Sequence, residues 1–226
     1  MKINSHTTEE PFWAARNNDC EACRNLVSGG VSLETKDAAG NTPLQVAIFA
    51  NSLDVAAEMI QLDANVNTKN DDDKAVLHFA KTVDAVRLLI QKGADIETRD
   101  SLGNTPLATS TNKDVTEELI RQGADINARN NKGGTPIMHA ALFGYKDVME
   151  VFLAHGAEIN ITTYEGASII DLLNLYEDVS PEREQIKERL IQENTRRTTE
   201  AFEKAARQGT PKRRKIIRPG TKACTP

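Results

Sequence analysis

The chain repeats itself. The segments TPLQVA, AVLHFA, TPLATS, TPIMHAA and SIIDLL begin at Thr42, Ala75, Thr105, Thr135 and Ser168, so their starts lie 33, 30, 30 and 33 residues apart. A second series keeps that spacing: Gly30-Val31, Asp63-Ala64, Gly93-Ala94, Gly123-Ala124 and Gly156-Ala157. A third is apolar throughout: Leu33, Val66, Ile96, Ile126 and Ile159. Three independent series on one period define a stack of units, each too small to bury its own apolar side.

Each unit reads as helix, turn, helix, protruding loop. Thr followed by Pro starts a helix, because the hydroxyl caps it and Pro fills the first turn, where its missing N–H costs nothing. Leu44, Leu77, Leu107 and Ile137 follow as core anchors, and Ala47, Ala80 and Ala140 allow close packing. A second apolar stripe comes next: Val55/Met59/Ile60, Val86/Leu89/Ile90, Val115/Leu119/Ile120 and Val148/Val151/Phe152. Its spacing places one apolar face on a second helix. Gly then supplies a left-handed C-cap, and Asn, Asp and Gly make an extended turn.

These residues resemble the ankyrin repeat family. GNTPLQVA at 40–47, GNTPLATS at 103–110 and GGTPIMHAA at 133–141 carry the likeness, with GADIETRD, GADINARN and GAEIN from Gly93, Gly123 and Gly156. It covers roughly residues 10–193. The resemblance implies a mainly α fold: a curved solenoid of about six helix-turn-helix units with β-hairpin loops, followed by a C-terminal helix and basic tail. It implies a non-enzymatic scaffold that binds another protein on its concave face. The units are expected at 10–36, 37–69, 70–99, 100–129, 130–162 and 163–193, with an extension at 1–9 and a helical, basic segment at 194–226. The first unit lacks Gly-x-Thr-Pro and the sixth lacks Gly-Ala-Asp, as caps should.

The departures from the pattern are informative. The two central units are three residues short: Lys81-Thr82-Val83 and Thr111-Asn112-Lys113 alone bridge the two helix motifs. Either a tolerant loop has drifted, or a dip on the concave side is shaped for a partner. Thr109 and Ser110 replace small apolar residues, and their hydroxyls must find partners if buried. Ala75-Val76 replaces Thr-Pro, losing a cap, and Asp63 replaces Gly at a left-handed position. The middle of the array is therefore expected to be its least stable part.

The loop tips vary most between units. By the resemblance, tips and inner-helix residues form the partner surface. The candidates are Asn41, Phe49, Asp71, Asp72, Lys74, Ser101, Leu102, Asn104, Asn131, Lys132, Leu142, Tyr145, Tyr164 and Glu165. Leu102 and Tyr164 stand out, since an exposed Leu or Tyr is unusual on a solvated rim and Tyr is a common hot spot. For Phe49 and Phe143, core packing is the ordinary role. Asp71-Asp72-Asp73 reads as a solvated finger, lacking the alternating ligands and terminal Glu of a calcium loop.

No sequence motif for catalysis is present: GxxxxGK[ST], HExxH, GxSxG and strand-linked GxGxxG are all missing. No metal or cofactor is expected. The rival reading, an enzyme or metalloprotein, has only the lone pair Cys20/Cys23 with His6. His78 occupies the family's customary His slot, to which the resemblance assigns structural hydrogen bonding. Leu119 to Asn127 resembles the context in which animal ankyrin repeats are hydroxylated, which marks Asn127 as a candidate; the same residues are plain repeat consensus.

Hydrophobic residues make up 39% of the 226-residue chain, which argues against wholesale disorder. The apolar runs are far too short for a transmembrane helix, and MKINSHTTEEPFW has no signal-peptide core. Three Cys fit a reducing compartment, so the cytoplasm is the expected location, with the nucleus as an alternative. The net charge of −5 hides an asymmetry: residues 194–226 hold ten Lys/Arg against two Glu, or +8, leaving −13 on the first 193. An acidic body favours a basic or mixed-charge partner. Ser180-Pro181 starts a helix expected over about 181–208, and TPKRRKIIRPGTKACTP follows. Lys212, Arg213, Arg214 and Lys215 resemble a nuclear import signal. The other readings are docking onto the acidic body, a solubilising tail, and an export signal on an effector that an intracellular bacterium delivers into a host cell. Nucleic acid ranks low, because four cations give modest, salt-sensitive affinity and the body opposes it. A monomer is expected.

Overall fold

A computed structural model describes residues 9–174 and 181–207. These residues fall into two compact units that part between Lys187 and Glu188.

In the first unit, helices come in pairs. The inner series is α1 (Glu10–Asn17), α3 (Pro43–Ala50), a 3-10 helix (Val76–Phe79), α6 (Pro106–Thr109), α8 (Pro136–Leu142) and α10 (Ile169–Asn174). The outer series is α2 (Cys20–Ser28), α4 (Leu53–Gln61), α5 (Val83–Gln91), α7 (Lys113–Arg121) and α9 (Lys146–Ala154). Inner helices pack on one another in chain order from α1 to α10, and α2 packs on α4, α5 on α7 and α7 on α9. Leu44, Leu77, Leu107 and Ile137 are buried, as are Val55, Met59, Val86, Leu89, Val115, Leu119, Val148 and Phe152. At about 25 cal/mol per Å² of apolar surface, this shared interior is the main source of stability.

The Thr-Pro helix starts follow the expected chemistry with one exception. Thr42 and Thr105 accept the backbone N–H three residues on, and Asn112 and Thr82 cap α7 and α5. Thr135 makes no such bond; its hydroxyl is buried without a partner. At Ala75, where a capping side chain is lacking, the inner element is a 3-10 turn rather than an α-helix.

The loops are tight hairpin turns, with isolated bridges at Lys69–Ala75 and Thr162–Ser168 as the only β pairing among the described residues. Four of them open on an Asx-type residue, and the last opens on Thr163, whose hydroxyl accepts the Ala167 N–H. Asp37, Asn70, Asp100 and Asn130 each accept the N–H groups two and four residues on. Successive tips are tied through backbone: Asp71 N–H to Ala39, Ser101 to Asp72, Asn131 to Leu102 and Tyr164 to Lys132, at 2.9 to 3.2 Å. A basic residue just before each turn reaches one period further. Lys36, Lys69, Arg99 and Arg129 donate to the carbonyls of Lys69, Arg99, Arg129 and Thr162.

The last helix, α11, runs over Pro181–Arg207, close to the expected span. Within the first unit its start is anchored by buried Ile186, by Lys146 donating to Gln185 at 2.9 Å, and by Arg183 donating to the Leu142 carbonyl. In the second unit Leu190 is buried while Ile191 is half exposed. Buried Glu193 accepts from Arg189, Arg196 and Arg197 on its own helix, and the guanidinium of Arg196 first of all holds its carboxyl down at about 2.

Candidate functional site

The shortfall of three residues in each central unit has a direct structural result. The inner elements there have four residues each, against eight in α3 and seven in α8. The two short helices leave a cleft of about 500 Å³. Its floor is apolar, from Leu77, Pro106, Val115 and Leu119, all buried. Its rim carries Phe49, Phe79, Lys74 and Lys81 together with Thr109, Ser110, Thr111 and Asn112.

Phe49 sits in the last turn of α3, which overhangs the 3-10 helix. The 3-10 helix on that side has four residues against the eight of α3, and Phe49 is 55% exposed. Phe143 follows α8 and is equally exposed. Core packing is thus not the role of either ring. Phe49 meets Phe79 edge-on at 6.3 Å, and the pair also borders a second cleft of about 270 Å³ with Arg16, Asn41 and Val46. Lys81 donates to the Phe49 carbonyl and lies 3.4 Å above its ring centroid. Phe143 stacks between His139 and Tyr145.

The hydroxyls that replace apolar residues are satisfied. Thr109 donates to the carbonyl of Pro106, Ser110 to that of Asn112, and Thr116 to the Ser110 hydroxyl. His78 joins the floor to the next unit. Its Nδ1 accepts the Ala75 N–H, so Nε2 carries the proton and donates to the Asn104 carbonyl at 3.1 Å. Burial pushes its pKa below the ordinary value. Gln45 fills the equivalent slot one unit earlier and donates to the equivalent carbonyl, of Lys74, at 2.7 Å.

The other sequence candidates separate into two groups. Asn41 and Asn104 turn inward: each is bonded to the Asp four residues before it, each accepts from the Asn one unit on, and Asn104 is buried. Leu142 is half-buried. Asp71, Asp72, Ser101, Leu102, Asn131, Lys132, Tyr164 and Glu165 are exposed along the tips, Leu102 at 62% and Tyr164 at 68%. The Tyr164 ring lies against Gly133 and 5.2 Å from the Arg129 guanidinium. Asn127 is half-buried, and its side-chain oxygen accepts the Glu158 N–H. Lys212 to Lys215, and His6, lie outside the described residues.

Cys20 and Cys23 are free thiols in α2, and burial drives Cys23 up to about 11, away from reactivity. Among the described residues no group of three or more His, Cys, Asp or Glu could hold a metal. Nor is any helix among them long and apolar enough to cross a membrane.

Stacked helix pairs, tied tip to tip at a fixed period, define a repeat solenoid. The family described as ankyrin repeats (3 copies) matches residues 12–100 and again 81–163, and the chain belongs to the ankyrin repeat family. Repeats of this family serve in protein–protein interaction. No curated protein matches the chain.

Proposed function

We propose that this chain is a non-enzymatic scaffold that binds another protein through the cleft over its two short inner helices and through the adjoining tips. The observation that carries this reading is the cleft itself: a buried apolar floor under exposed Phe49. Tips stitched by backbone bonds and rungs of Lys and Arg hold Leu102 and Tyr164 in place before any partner arrives. Binding to a preordered surface loses little conformational entropy. Affinity capture from a lysate tests the reading. Wild type should retain a partner that Phe49→Ala and the pair Leu102→Ala/Tyr164→Ala lose. Unchanged recovery with all of them would overturn it.

A second reading concerns location. The Lys212–Lys215 run after Pro211 suits nuclear import, or export of an effector into a host cell. Replacing the four by Ala in a fluorescent fusion should shift the protein out of the nucleus, and an unshifted distribution removes the import role.

A further inference from the structure

We infer that the cleft over the short helices takes an acidic segment of the partner that carries one apolar side chain. This rests on the protein-binding reading above and adds the chemistry of the segment. The first 193 residues carry 18 basic and 31 acidic side chains. The cleft reverses that sign. Its titratable lining is Lys74, Lys81 and His78, and no carboxylate lines it.

The two lysines differ in what they already do. Lys74 stands 3.7 Å from Asp72 at the tip, an exposed and weak pair that a ligand carboxylate can share. Lys81 has no carboxylate partner among the described residues. It is held instead by the Phe49 carbonyl and the face of the Phe49 ring, both of which orient the cation without neutralising it. A carboxylate at Lys81 therefore gains a prepositioned charge. An aliphatic or aromatic side chain beside it would cover the exposed Phe49 ring and Phe79. Asn112 also lines the cleft, and with its oxygen used in capping α7 its amide NH₂ remains as a donor suited to a peptide carbonyl or carboxylate.

The acidic surroundings contribute selectivity. The net charge of −13 on the first 193 residues disfavours an acidic segment on the body as a whole, against which the lysines of the cleft offer a local site of opposite sign.

Selection of random peptides displayed on phage against the full-length protein tests the inference. Enriched sequences should pair an apolar residue with neighbouring Asp or Glu. Lys74→Glu/Lys81→Glu should weaken them by about ten-fold or more, and added salt should weaken wild-type binding, as rim electrostatics do. Phe49→Ala, at an exposed position, should weaken them also, and thermal melts of each variant separate lost binding from lost folding. Enrichment of basic sequences, or acidic ones indifferent to charge reversal, overturns the inference; if these still depend on Phe49 the cleft remains the binding site. Peptides indifferent to Phe49→Ala, or no enrichment at all, overturn both the inference and the cleft as binding site.

Discussion

His78 Nε2 lies 3.1 Å from the carbonyl oxygen of Asn104, one repeat further along the chain. Holding both bonds needs a neutral ring, because Nδ1 accepts the Ala75 N–H and loses that bond on protonation. Burial lowers the pKa of His78, and of His139, below the value of an unfolded chain. The unfolded state then binds more protons as pH falls through the ordinary His range of about 6.5, so the folded state loses stability below that pH and none above it. Replacement of His78 by Gln, the residue in the equivalent slot at position 45, should keep the bridge and flatten part of this dependence. Urea midpoints measured from neutral to mildly acidic pH decide the matter. Equal slopes for wild type and variant would refute the assignment.

The period carried the architecture because it is written in residues with few alternatives. A buried Leu or Ile must recur where helices stack, and Leu44, Leu77, Leu107 and Ile137 do. The cleft was legible too, since three missing residues between two helix motifs must shorten something. What stayed hidden depends on distances between units. Apolar patterning places Phe49 on a helix but does not say that the ring is left exposed beside a shorter inner element. Lys36, Lys69, Arg99 and Arg129 sit on the period in plain view, yet their partner carbonyls are known only once the units are stacked. Asn41 and Asn104 looked like tip residues, but the Asp four positions earlier in each turn was the sign that they face inward.

Asp63 has φ 68° at the position held by Gly30, Gly93, Gly123 and Gly156 in the other units. At those glycines a Cβ would meet nothing within 4 Å, so space is not the issue and backbone strain is. Asp63→Gly should therefore raise stability by about 1 kcal/mol, the left-handed penalty removed. Chemical denaturation measures it, and a destabilised variant would contradict the argument.

Glycines at the tips face a second constraint. Gly133 has φ +79°, and a Cβ there would lie 2.7 Å from the Tyr164 nitrogen and 2.9 Å from its ring. Gly123 has φ +96° but open space. Gly123→Ala should cost the backbone penalty alone, about 1–2 kcal/mol. Gly133→Ala adds overpacking against the next tip, about 1–3 kcal/mol more. Equal losses in denaturant melts would mean that the tip stack yields without resistance.

Restoring the missing residues sets stability against binding. The elements Val76–Phe79 and Pro106–Thr109 are single turns, too short to be stable alone and bordered by solvent in the cleft. Their amides should exchange faster than those of α3 and α8. Inserting three helix-forming residues after Ala80 and after Ser110 would extend both elements to the length of their neighbours. The added turns should cover Phe49, fill the cleft and raise the melting temperature. Partner binding should vanish in the same variant, a trade of function for stability. Hydrogen exchange and peptide binding measured together on that variant provide the check. A lengthened protein that still binds would show that the tips alone hold the partner.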